Sequence, residues 1–574
     1  MHRRVWVIEA PGKKIAFMHA LKEADFGGDQ VLATYGRLFD LPGNELGFDV
    51  KMLSTPDISS QVNWVAKREN QVVKLVDLIS RADEIVIATD SDLEGELIAD
   101  QVQGLCQLAA NKRLSPASIC RVEIHSITPD SIRAAYRNNT QVNPNKVRAA
   151  KARRILDRLL GYRLHSDDDP WRLSIGRIVT PLIKSLHDSP AETSVVRKRL
   201  DDGWSAIVRV DTRQAGNAEA LVGLLHGLPS PKLAISHSEA LRHEHKPLTG
   251  PDALRLCMRS LAAEPRAIQQ SIQDNYEKGR LSYPRSDSRT LDEVGLAWIS
   301  RMAGREAVEY DERIALERQS EQLDRSYDAH HAVLPTGDDL PHSSIPGNYL
   351  SLDESVIRAI GNHSMKIGQS AEVFTRQHGT LDHSDRMASK WGQALGRWTQ
   401  NLTFVRDVDD MGFHQDPLRH EFAREPDVNQ SSVAVWKHHV AQIVMERLME
   451  IGLGRPSTLL GLAEKTFSSY LDQHGQVNGR GRIMIEKVMR RLPELLSHEA
   501  AQAVERAVCD VTSNSSIADR LSKAWEILRK NPVLLGETDP NTMSTSVAEP
   551  PENALDSSQS PQQRQFIDNV FDMY

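Results

Sequence analysis

The segment that most restricts the possible folds is an apolar run that ends in a string of acids. Glu84-Ile-Val-Ile-Ala-Thr89 has the length and β-branched content of a buried strand. Asp90-Ser-Asp92-Leu-Glu94-Gly-Glu96 follows at once, and apolar spacing over 93–108 predicts a helix. A strand apolar on both faces needs a layer on each side. Residues 3–8, 31–34 and 121–124 also read as strands, while 15–24 and 58–79 carry helical spacing. Strands alternating with helices predict a mainly parallel sheet in an α/β domain over 1–135.

The remaining chain changes type several times. Residues 140–195 read mostly as helix, 204–212 and 219–240 as β, 250–340 as helix, 368–435 as mixed β, and 436–533 as helix. The fold class expected is therefore multidomain α/β and α+β, with some domains built from discontinuous pieces. The tail from about 536 is rich in Ser, Gln, Pro and Asn and is expected to be disordered. No internal repeat is visible.

In parallel sheets, ligands bind beyond the carboxyl ends of the strands. Asp90, Asp92 and Glu94 stand there at i, i+2 and i+4, a spacing that can converge on a hard cation. Magnesium uses a few carboxylates and keeps several waters. Glu9 ends another expected strand and could join them. The alternative is that these acids simply favour a helix N-terminus. Pro11-Gly-Lys-Lys14 imitates a nucleotide loop, but Val7 stands where such a loop needs glycine, so ATP is not expected.

Net charge is −8, yet residues 148–177 hold eight Lys/Arg against four Asp, a local excess of four. Nucleic-acid binding uses such patches rather than the global sum. Cys106, Cys120, Cys257 and Cys509 are scattered without a Cys-x-x-Cys pair, which argues against a disulfide framework or a zinc ribbon. No apolar run approaches the roughly 20 residues of a membrane span. The expected compartment is the cytoplasm, with no membrane partner.

Val7-Ile-Glu9-Ala-Pro-Gly-Lys13 together with Ala88-Thr-Asp90-Ser-Asp92-Leu-Glu94-Gly-Glu resembles the toprim domain of topoisomerases, primases and some nucleases. That resemblance implies Glu9 as an acid/base carboxylate beside Lys13, with Glu9, Asp90, Asp92 and Glu94 around Mg2+. The usual Pro and Arg of the pattern are Ser91 and Leu93 here.

A second string, Gly279-Arg-Leu-Ser-Tyr283-Pro-Arg285-Ser-Asp-Ser, resembles the active-site signature of type IA DNA topoisomerases. Phenol attack on a phosphodiester needs a positioned nucleophile and cations for the transition-state charge. The resemblance implies Tyr283 as nucleophile and Arg285 as one such cation. Asp328-Ala-His330-His331-Ala-Val-Leu-Pro-Thr336 resembles the motif that brings a histidine, here His330, to the cleavage site. Arg153, Asp157, Ser174, Gly176 and Arg177 match the family's single-strand-binding segment; the usual Gln there is Val179. Arg455, Ser457 and Thr458 lie in Gly452-Leu-Gly-Arg-Pro-Ser-Thr458, which offers amides to a phosphate. Arg121 matches a family arginine implied to contact DNA, although the usual Asn-Glu beyond it is His125-Ser126. Thr34-Tyr-Gly36-Arg37-Leu resembles a Gly-His-Leu loop with Arg37 in place of His.

These motifs run in family order from residue 5 to about 490. They imply a type IA torus: a toprim domain at 1–135, a helical single-strand-DNA-binding domain at 136–195 and 440–535, a β-rich arch at 196–245 and 368–439, and a helical tyrosine domain at 246–367. The implied reaction is ATP-independent. Tyr283 links to a 5′ phosphate, another strand passes, and the 3′ hydroxyl reseals the nick, relaxing or decatenating DNA. Details of the motifs lean toward topoisomerase III over topoisomerase I, and a monomer is the family expectation. A toprim-type nuclease and a catalytically dead DNA-binding relic remain the alternatives.

Overall fold

A computed structural model describes residues 3–43, 45–50, 58–111, 118–164, 173–214, 218–319, 331–337, 339–341, 350–422, 424, 426–430, 432–454 and 458–528. They fall into two compact units. The first comprises 1–124, 128–177 and 487–574, and the second 125–127 and 178–486.

The first unit is built on a four-stranded parallel sheet in the order Gln30–Ala33, Arg4–Ile8, Glu84–Ile87, Ser118–Arg121. Glu84–Ile87 is buried along its whole length, as its unbroken apolar character requires. Helices Lys14–Glu23, Glu69–Ile79 and Leu93–Asn111 connect the strands. Trp6 is fully buried and meets Phe17 and Phe26 edge-on at 5.7 and 5.3 Å. Helix Pro144–Leu164 packs on Leu93–Asn111 and also on helices His498–Cys509 and Ile517–Leu528, which return from the distant end of the chain.

Two readings of this unit need correction. Helical spacing at 58–79 yields an α-helix only over Glu69–Ile79; Ile58–Gln61 is a 3-10 turn and Val65–Ala66 pairs with Phe39–Asp40. The last strand is Ser118–Arg121 rather than 121–124, because Glu84 aligns with Ser118 and Ile87 with Arg121.

The second unit centres on a sheet in the order Val428–Gln430, Val433–Lys437, Glu192–Arg199, Ser205–Asp211, Leu402–Asp409, Glu372–Leu381, Leu233–His243, with His414–Gln415 paired to Leu402–Asp409. Its strands come from two chain segments, 192–243 and 372–437. Alternation along the strands divides the apolar residues. Val196, Val208, Phe404 and Val435 join Trp391 and Trp398 on one face, while Val195, Ile207, Ala434 and Trp436 join Phe422 on the other. The first part of 219–240, read as β, instead lies in the helix Ala218–Gly227. Its Leu221 and Leu225, one turn apart, bury into the first cluster. The rest of the unit is mostly helical, including Gly250–Ser260, Pro265–Glu277, Glu293–Arg305, Leu352–Met365, Val440–Glu450 and Leu459–Tyr470. Among the described residues no helix is long and apolar enough to cross a membrane.

Candidate active site

In the first unit the acids occupy the turn from strand Glu84–Ile87 into helix Leu93–Asn111. Asp92 caps that helix: its Oδ1 accepts from the amides of Glu94 at 3.0 Å and Gly95 at 2.8 Å. Gly95 is required there, since a Cβ would lie 2.0 Å from the Asp90 carbonyl oxygen. The Thr89 hydroxyl donates to the Gly95 carbonyl at 2.7 Å and tightens the same turn.

Two cations enter this cluster. Lys13, itself buried, ion-pairs with Asp90. Arg37 reaches Glu94 at 3.3 Å and Asp40 at 3.3 Å. Tyr35 and Gly36, both at positive φ, turn the loop that carries Arg37, and the Tyr35 amide donates to the Glu9 carbonyl. The sequence singled out Arg37 only as a substitution; its contact with Glu94 depends on that turn.

Glu9 lies just past strand Arg4–Ile8, and its Oε2 is buried without a hydrogen-bond partner. Burial, reinforced by Asp90 and Asp92, holds its carboxyl well above the ordinary range, and Lys13 opposes the rise. Among the described residues no three His, Cys, Asp or Glu side chains already converge as a metal cage. The donor chemistry nonetheless suits magnesium. An orphaned buried carboxylate oxygen, disfavoured by neighbouring acids, is relieved by a hard divalent cation.

Arg121, which the resemblance implies as a DNA contact, is 1% exposed. Its guanidinium pairs with Glu96, also 1% exposed, at 3.1 Å. It also donates to the carbonyls of Thr89 and Asp90 at 2.8 Å each. Arg121 therefore staples the acid-bearing turn from beneath. Lys146 adds a second staple that sequence reasoning missed, bonding the Ser91 carbonyl at 3.2 Å and Glu123 at 3.0 Å. The hydroxyl of Ser91 is buried without a partner.

The expected single-strand-binding residues form an ion network. Arg177, almost fully buried, bonds Asp157 at 2.6 Å and also pairs with Glu505. Arg153 stands 3.9 Å from Asp157. Burial pushes the Asp157 carboxyl up, but Arg177 and Arg153 outweigh it and leave the group below its ordinary range. Ser174 and Gly176 are half-buried in the irregular stretch before Arg177.

In the second unit, helix Pro265–Glu277 ends in a left-handed cap at Gly279, whose φ is 71°. A Cβ there would meet the Ile127 carbonyl at 2.7 Å. The chain then runs extended beside 331–336. The Ser282 amide donates to the Leu334 carbonyl at 2.8 Å, and the Thr336 amide donates to the Arg280 carbonyl at 3.0 Å. The Ser282 hydroxyl donates to the Ala332 carbonyl at 3.0 Å and accepts from the Leu334 amide at 2.9 Å. Tyr283 follows with its amide on the His125 carbonyl at 2.9 Å and its ring edge-on to Tyr276 at 5.4 Å. It is 1% exposed. His331 lies edge-on to His125 at 4.9 Å.

The tyrosine string and the histidine string, about 50 residues apart, thus form one hydrogen-bonded pair of segments. Pro284 and Arg285 line a cavity of about 330 Å³ together with Arg266, Gln273 and Glu464. Thr458 caps helix Leu459–Tyr470 through its backbone, after glycines at positive φ at 452 and 454. His330, Arg455, Ser457 and the 536–574 tail lie outside the described residues.

Residues 214–521 match the family described as DNA topoisomerase, and residues 4–127 match the Toprim domain. DNA topoisomerase 1 of Aquifex aeolicus (strain VF5) is 28% identical over 329 residues, covering 53% of this chain and 57% of that protein. DNA topoisomerase 1 of Streptomyces coelicolor (strain ATCC BAA-471 / A3(2) / M145) is 24% identical over 582 residues, covering 88% of this chain and 58% of that protein. The chain spans about half the length of the curated relatives it matches. Full-length topoisomerase I from Thermotoga maritima shares the fold, with a TM-score of 0.59 at 19% identity over 91% of this chain and 89% of that one.

Proposed function

Because the chain belongs to the type IA DNA topoisomerase family, we propose that it cuts one DNA strand through Tyr283 and reseals it without ATP. The observation that carries this reading is the placement of Tyr283. It is held by its own amide on His125 and, through Ser282, by the strand that follows His330. A nucleophile fixed at both flanks loses little freedom when substrate arrives.

The Tyr283 oxygen attacks a backbone phosphorus, a P–O5′-linked phosphotyrosine forms, and the 3′ hydroxyl leaves. Resealing reverses these bonds, so no external energy is spent. Arg285, beside the tyrosine, supplies positive charge to the phosphate. A phenol this buried must be uncovered before it meets DNA, which favours a single or underwound strand over a stiff duplex.

Glu9, Asp90, Asp92 and Glu94 would hold magnesium, which when bound supplies positive charge to the phosphate oxygens. Glu9, whose carboxyl is held above its ordinary range by burial and the neighbouring acids, is suited to give a proton to the leaving oxygen and take it back on resealing. Lys13 holds Asp90 and steadies the cluster.

Negatively supercoiled plasmid should relax with magnesium and without ATP, and Tyr283→Phe should abolish this. A Tyr283→Phe chain that still relaxes plasmid refutes the reading. The Tyr-Pro-Arg-Ser-Asp string leads us to infer decatenation as the stronger activity. The relatives bear the name DNA topoisomerase 1, which favours the topoisomerase I reading instead, and the ratio of decatenation to relaxation rates decides.

A further inference from the structure

We propose that Arg37 holds Glu94 until magnesium takes that carboxylate, and then turns its guanidinium onto the DNA phosphate beside the metal. The proposal rests on the reading of Glu9, Asp90, Asp92 and Glu94 as a magnesium site, and adds a residue which that reading does not include.

The acid-bearing turn brings no cation of its own, because Leu93 within it is apolar and buried. Three cations reach the turn from elsewhere, but each is buried and committed. Lys13 pairs with Asp90, Arg121 with Glu96, and Lys146 with Glu123 and the Ser91 carbonyl. Arg37 differs from them. Its side chain is 21% exposed, and it meets the most open acid of the set, Glu94, whose side chain is 53% exposed.

The grip of Arg37 is loose. Its Nε lies 3.3 Å from Glu94 Oε1, and its Nη1 donates to Asp40 at 3.3 Å. Asp40 is satisfied without that bond. Its two oxygens accept from Arg154 at 2.7 and 3.1 Å, and Oδ1 also accepts from the Leu41 amide at 2.9 Å. Nη2 of Arg37 has no partner among the described residues. The backbone that carries the residue is fixed by contrast. Tyr35 and Gly36 stand at φ 60° and 91°, and the Tyr35 amide donates to the Glu9 carbonyl at 2.9 Å. A pinned turn thus presents a loosely held guanidinium at the edge of the acid cluster.

Two cations that share one carboxylate repel each other. Mg2+ at Glu94 therefore loosens Arg37, and a phosphate held at the metal offers the guanidinium a new anion. A guanidinium fork matches phosphate oxygens in geometry as well as charge. Arg37 then opposes the metal when DNA is absent and supports phosphate binding when the metal is present. A purely structural ion pair has no such reversal, since its loss would loosen both.

The test uses binding alone and has two arms. In the first, Mg2+ is titrated calorimetrically into the full chain without DNA. Arg37→Gln should bind it about fivefold more tightly than wild type, the effect of one unit charge a few ångströms away in a water-exposed setting. Arg37→Lys, which keeps the charge, should bind it as wild type does. In a Glu94→Gln background the gain from Arg37→Gln should shrink, as it must if the two side chains are coupled. In the second arm, fluorescein-labelled (dT)12 is bound to Tyr283→Phe chains, so that cleavage plays no part. Without Mg2+, adding Arg37→Gln should leave the affinity unchanged. With saturating Mg2+ it should weaken binding about fivefold, again the worth of one exposed charge. Looser or unchanged Mg2+ binding by Arg37→Gln overturns the proposal, as does an equal loss of oligonucleotide affinity with and without the metal. Absence of Mg2+ binding in wild type overturns the magnesium reading along with it, whereas failure of cleavage by Tyr283 touches neither arm.

Discussion

Replacing Arg121 with Met should unfold the first unit far more readily while leaving DNA contacts intact. The substitution keeps most of the side-chain volume and removes the charge. Glu96, 1% exposed, then keeps a buried carboxylate without its cation. Breaking one partner of a buried pair costs about 3–5 kcal/mol. The carbonyls of Thr89 and Asp90 also lose a donor, at about 1 kcal/mol each. These costs overlap, and about 4 kcal/mol is a reasonable total. For a unit of this size that lowers the first melting transition by roughly 10 °C. Differential scanning calorimetry measures it. Adding Glu96→Gln removes the stranded charge and should recover about half of the loss. If Arg121→Met instead melts like wild type but binds oligonucleotide more weakly, with a smaller salt dependence, the staple is wrong and Arg121 is a DNA contact.

Gly95→Ala should disrupt the acid-bearing turn, because its Cβ would sit 2.0 Å from backbone rather than from a side chain that can move aside; magnesium-induced thermal stabilisation should be lost. Gly279→Ala should cost about 1–3 kcal/mol, since it combines a positive φ with a clash against the Ile127 carbonyl, and urea unfolding checks it. Glu9 is held above the ordinary 4.5, so the folded chain keeps a proton that the unfolded chain has lost. Stability therefore falls as pH rises from about 4.5 toward the native value. Glu9→Gln lacks that loss, and with metal chelated its melting temperature should gain on wild type as pH rises through this window.

Much of the fold was legible because buried parallel strands announce themselves. Glu84–Ile87 needs no partner to be read as a strand, and the acids directly after it fix where the sheet presents chemistry. Helix Ala218–Gly227 was misread because Ala-Glu-Ala-Leu-Val-Gly-Leu-Leu is short and nearly all apolar, a pattern that fits either period. The burial of Arg121 was illegible for a different reason. A guanidinium meant for DNA and one meant for backbone carbonyls have the same sequence signature, and only the return of 87–90 over it tells them apart. The tyrosine segment was found by its string, but its clamp was not, since Ser282 meets Ala332 and Leu334 across some fifty residues.

The central claim is a covalent bond between Tyr283 and DNA. It is tested by incubating the full chain with 5′- and 3′-labelled single-stranded DNA, with and without magnesium, and quenching with denaturant. Wild type should carry label on the protein from the 3′-labelled strand, the fragment that retains the attacked 5′ phosphate, and Tyr283→Phe should carry none. Cut strands with free ends and no protein attached, or an adduct that survives Tyr283→Phe, would contradict the account.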